Sequence, residues 1–64
     1  MIKLGTKVEF DTGAGEVTGK VVYIHPEGRY FTAEYVTGKD KERFRTSFHF
    51  VDLYGTHQCV RIAR

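Results

Sequence analysis

The side chains in this chain best suited to chemistry are of types that bind rather than react: Lys20, Arg29, Tyr30, Arg43 and Arg45. Arginine offers a planar fork of N–H donors to a carboxylate or phosphate, and tyrosine adds a flat face with a polar tip. Arg43 and Arg45 stand two apart, so an extended strand projects both from one side. The same spacing groups Tyr30, Thr32 and Glu34. If these segments are neighbours, with Lys20 beside them and Arg29 at the turn, they form one outward patch. Tyrosine and arginine together suit a protein–protein hot spot. They equally suit a phosphate backbone with splayed bases. Glu34 offers a plainer alternative: it shares the patch and can pair with Arg43 or Arg45 across strands, worth about 0.2–1 kcal/mol.

Other constellations are weaker. His57-Gln58-Cys59 places two ligand-type residues on one side of a strand, and His49 is a third candidate. Zinc sites take four well-placed ligands, and their common pairs sit at other spacings, so no metal is expected. Cys59 reads as a small buried hydrophobe. His25 before Pro26 belongs to a turn, and His49 reads as a solvated strand residue. Glu9, Asp11 and Glu16 can approach one another near a loop, but carboxylates on a solvated turn lack the burial that shifts a pKa. Gly13-Ala14-Gly15 has neither the third glycine nor the following helix of a dinucleotide loop. With no nucleophile elbow, phosphate-cradling loop or HExxH run, no enzyme and no cofactor are expected.

The elements that position the patch must come from a short chain. Sixty-four residues make one domain, 1–64, and a small core. Without added staples, roughly 3–5 kcal/mol is the typical ceiling on net stability for a chain of this size. One cysteine excludes an internal disulfide and fits a reducing compartment. The net charge of +2 is a mild basic bias, so its distribution matters more than its sum. No stretch has signal-peptide or membrane-spanning length, and a cytoplasmic protein without membrane association is expected.

Hydrophobic alternation predicts five strands. Lys7–Phe10 is the first, turning through Asp11–Gly15. Glu16–His25 is long, with mixed parity and a bend expected at Gly19. His25-Pro26-Glu27-Gly28 is a strong turn signal and leads into Tyr30–Val36. Thr37–Asp40 turns into a fourth strand carrying Phe44, Thr46 and Phe48 opposite Arg43, Arg45 and Ser47. Val51–Gly55 reads as a turn or a single helical turn before a last strand near Gln58–Ile62. The expected core is Val8, Phe10, Val17, Val21, Tyr23, Phe31, Ala33, Tyr35, Phe44, Phe48, Val60 and Ile62. Phe50, Tyr54 and Tyr30 are surplus aromatics that either close the barrel ends or form an apolar patch for a partner or second copy.

Short strands with closely spaced turns suit a closed all-β barrel, which removes exposed edges. Here Gly5-Thr-Lys-Val-Glu-Phe10, Gly19-Lys-Val-Val-Tyr-Ile24 and Arg29-Tyr-Phe-Thr-Ala-Glu-Tyr35 resemble the SH3-like barrels, the group that includes Tudor and KOW modules. The resemblance covers nearly the whole chain and implies a five-stranded SH3-like barrel; it transfers no named binding residue. Gly19–Tyr35 with Arg43–Phe48 also resembles short phage and prophage proteins, which implies a small effector acting on a host component or nucleic acid. The expected function is non-catalytic binding of a protein partner through Lys20, Arg29, Tyr30, Arg43 and Arg45. Nucleic-acid binding through the same face is the alternative, and a homodimer is open.

Overall fold

Wherever the sequence alternates polar and apolar residues, the backbone is extended. The computed structural model describes residues 2–38, 40–55 and 59–63. In chain order they form β1 (Lys7–Asp11), β2 (Glu16–Ile24), β3 (Tyr30–Val36), β4 (Arg43–His49), α1 (Val51–Tyr54) and β5 (Val60–Ile62). All pairings are antiparallel, in the order β4-β3-β2-β1-β5, so the protein is all-β. β4 and β5 end the sheet and do not pair with each other among the described residues. The hydrogen-bonded sheet is therefore open, where sequence alone pointed to a closed barrel.

β2 ties the sheet together by using both its edges. Glu16–Lys20 pair with β1, and Lys20–Ile24 pair with β3. Such a strand must let a neighbouring backbone come close, and Gly19 allows it. A Cβ on Gly19 would lie 2.9 Å from the Glu34 carbonyl oxygen and 3.0 Å from the Phe10 ring. The ladder itself breaks later than the expected bend, with a register shift between Val21 and Tyr23. A bulge there inverts the parity that follows. Tyr23, expected in the core, is turned outward and 43% exposed, while Ile24 packs inward.

Val8, Phe10, Val21, Phe31, Ala33 and Val60 form the core with Ile2 and Leu53. Fully burying a side chain such as Phe31 is worth about 1.5–3 kcal/mol. Phe10 anchors the aromatic part, its ring edge-on to Tyr35 at 5.3 Å and to Phe48 at 5.0 Å. Val17, Tyr35 and Phe48, expected in the core, lie at its margin, joined by Phe50. Phe44 and Ile62 are corrections: they are 41% and 42% exposed. Both sit on end strands, whose outer edges pair with no further strand among the described residues. Ile2 and Leu53 are buried although neither belongs to a strand pattern.

The turns follow their chemistry. Gly28 donates its N–H to the His25 carbonyl at 2.8 Å and has φ +70°, the left-handed geometry that glycine accepts. His25 Nδ1 accepts the Glu27 N–H at 3.1 Å, so His25 does belong to the turn. In α1, Asp52 Oδ2 accepts the His49 N–H at 3.0 Å and the Asp52 carbonyl accepts from Cys59 at 2.9 Å, linking β4 to the approach of β5. Cys59 is exposed, not buried as expected.

Candidate binding surface

Cross-strand register decides which side chains meet. β3 against β4 sets Tyr30 opposite His49, Thr32 opposite Ser47, Glu34 opposite Arg45 and Val36 opposite Arg43. β2 against β3 adds Lys20 opposite Glu34 and Tyr23 opposite Thr32. Lys20, Tyr30, Arg43 and Arg45 thus share the outward face of three adjacent strands, and Arg29 adjoins it from the turn. From Tyr30 to Val36 that face is about 20 Å long at a strand's rise per residue. The five residues form a stripe rather than one cluster, and the stripe has three chemically different parts.

Charge neutralisation dominates the middle. Arg45 Nε donates to Glu34 Oε2 at 3.0 Å, with the carboxylate side chain only 22% exposed, and Lys20 lies across the other strand from the same residue. Arg45 therefore serves first as a cross-strand ion pair, worth up to about 1 kcal/mol. Beside it, the hydroxyls of Thr32 and Ser47 share a hydrogen bond at 2.9 Å. Arg43, at one end, faces Val36 and has no carboxylate within ion-pairing distance among the described residues. Arg29 makes only a loose pair with Glu27, at 3.8 Å between exposed side chains.

The other end is aromatic. The Tyr30 ring lies 5.9 Å from Tyr23 and 5.0 Å from His25. Next to it, Tyr30, Ser47, Phe48 and His49 line an open hollow of ≈ 300 Å³. Sequence reasoning missed Tyr23, His25 and His49 as members of this face. His49 shares the parity of Arg43 and Arg45, so its signal was present. Tyr23 arrives only through the β2 bulge.

On the sheet's other side, a gap of ≈ 420 Å³ opens between the β1–β2 and β3–β4 turns, floored by Val17, Tyr35 and Phe44. It holds no comparable grouping of tyrosine and arginine. The carboxylates near the β1–β2 loop have assigned structural roles. Arg61 on β5 reaches Glu16 at 2.8 Å and Glu9 at 3.7 Å, and Asp11 Oδ1 accepts the Gly13 N–H at 2.7 Å. The Arg61 guanidinium pKa is raised, first by its hydrogen bond to Glu16 and then by that carboxylate's charge. Among the described residues no three His, Cys, Asp or Glu side chains gather as metal ligands, and His57 and Gln58 lie outside those residues. Nor is any described helix long and apolar enough to cross a membrane.

Comparison with protein-family models, curated proteins and solved structures finds no match to this chain. What it does must be argued from its own residues.

Proposed function

We propose that the chain is a non-catalytic protein-binding module that acts through the outward face of β2, β3 and β4. Arg29, Tyr30 and Arg43 make the contacts, Arg45 contributes from its pair with Glu34, and Lys20 stands at the rim. The carrying observation is the Tyr23–Tyr30–His25 ring cluster beside an open hollow, on the same sheet face as Arg43, which has no carboxylate partner among the described residues. Exposed tyrosine next to arginine is the composition of interface hot spots. Strand backbones hold these side chains with little freedom to lose, which lowers the entropic cost of binding. A rigid face of this kind supports action by occlusion of a partner's surface, as a small effector or inhibitor would act. The four-stranded β1–β4 meander, with β5 returning to pair with β1 after a helical turn, supports an SH3-like parent architecture.

Nucleic-acid binding is the second reading, because the same rings offer stacking faces. Glu34 counts against it: the carboxylate lies between Lys20 and Arg45, in the path a phosphate backbone would take. Fluorescence anisotropy with labelled single- and double-stranded nucleic acids, over a salt series, separates the two. A protein-binding face gives no anisotropy change at physiological salt. Tight binding that weakens steeply with salt and is lost in Arg43→Glu would establish the nucleic-acid reading instead.

A further inference from the structure

Among the described residues the outer edge of β4 has no strand partner and is self-complementary, and we propose that two copies of this chain pair antiparallel along it, centred on Thr46, into one continuous sheet. This edge borders the outward face and shares Arg43 and Arg45 with it, but its test reads the oligomeric state of the purified chain and so does not depend on the function proposed above.

The backbone sets the geometry. Thr37 donates to the Glu42 carbonyl at 3.0 Å, just beyond the Val36–Arg43 pair. Antiparallel ladders alternate hydrogen-bonded and non-hydrogen-bonded pairs. Phe44, Thr46 and Phe48 therefore bond to β3, and the N–H and C=O groups of Arg43, Arg45 and Ser47 point to the open edge. The His49 N–H also points that way and is capped by Asp52. No other backbone partner is present for the first three among the described residues. A strand of this length with unpaired edge groups is a template for another strand.

The side chains select the register. Centring the two-fold on Phe44 sets Arg43 against Arg45, and centring it on Arg45 sets that residue against itself; like charges directly opposite are unfavourable. Centring on Thr46 pairs Arg45 with Ser47 and Arg43 with His49; the His49 N–H stays with Asp52, so that outer pair uses only the Arg43 N–H and the His49 carbonyl. On the inner face, the same register places Phe44 of one copy opposite Phe48 of the other, in a close non-hydrogen-bonded pair. Phe44 is the half-exposed ring of this strand, already stacked on Tyr35 at 5.7 Å, and Phe48 contacts Phe31 at 5.8 Å. The dimer would join these two ring pairs into one row and cover Phe44.

Sedimentation equilibrium of the wild type and three position-47 variants tests this. Ser47 is exposed and loses only its surface hydrogen bond to Thr32, so all three variants should keep the monomer fold, which circular dichroism checks. The wild type should self-associate. Ser47→Arg places arginine opposite arginine twice per dimer and should weaken association about 2- to 30-fold; Ser47→Glu, opposite Arg45, should strengthen it by a similar factor. Ser47→Pro removes an N–H that only the partner uses, and should give a folded monomer. A wild type that stays monomeric at millimolar concentration overturns the proposal. So does a dimer indifferent to charge at position 47.

Discussion

Gly19→Ala should destabilise the protein although it adds only a methyl group and asks for no unusual backbone angle. The added Cβ would sit 2.9 Å from a backbone oxygen of β3 and 3.0 Å from the Phe10 ring, inside ordinary contact distance. A backbone atom at a strand junction cannot swing aside as a side chain can. Overpacking of this kind costs about 1–3 kcal/mol. Stiffening the unfolded chain returns about 0.4–1 kcal/mol, which leaves a net loss of about 1.3 kcal/mol from the middle of both ranges. Unfolding entropy near 2.1 cal/mol/K per residue over 64 residues makes 1 kcal/mol worth about 7 °C. Differential scanning calorimetry should therefore show Tm lowered by about 10 °C. Gly38→Ala is the internal control, because a Cβ there meets nothing within 4 Å. It should be neutral or slightly stabilising. Equal Tm values for the two variants would refute the close approach of β3 to β2 at Gly19.

Phe31→Ala empties the most deeply buried ring position and should cost about 3–5 kcal/mol, as much as a domain of this size holds, so the variant should be largely unfolded by circular dichroism. Phe44→Ala should cost far less in the same assay, since Phe44 is half exposed. Gly28→Val forces a β-branched residue into φ +70° and should lose about 1–3 kcal/mol in urea titration; Gly28→Asn, which tolerates that region, should lose less. Arg45→Ala breaks the pair with Glu34 and should lower stability by under about 1 kcal/mol, with the difference shrinking as salt is added. A larger, salt-independent loss would show Arg45 to be structural.

Strands were legible because alternation and turn chemistry act locally. Tyr30–Val36 has the bounds its parity implies, and Val51–Tyr54 forms the helical turn expected before the last strand. What sequence could not show depends on neighbours. Tyr23 follows the inward parity of Val17 and Val21 until a register shift turns it out, and only pairing with β3 reveals that shift. Phe44 and Ile62 have core-like types and parity, yet they lie on end strands whose outer edges pair with no further strand among the described residues. Ile2 and Leu53 fill the core from segments without strand periodicity. The outward face was partly legible. Parity put Arg43, Arg45 and Tyr30 together, but it could not say that Arg45 is held by Glu34 while Arg43 is not, nor that Tyr23 and His25 flank Tyr30.

The binding face is tested most directly by parallel affinity captures with three forms of the chain: wild type, the Tyr23→Ala, Arg43→Glu double variant, and Tyr54→Ser on α1. Nuclease treatment and about 0.15 M salt remove partners held only through nucleic acid or long-range charge. A protein-binding face predicts one protein partner retained by the wild type and by Tyr54→Ser, and lost from the double variant while its circular dichroism is unchanged. A partner that the folded double variant retains, or binding that nuclease abolishes, would contradict it.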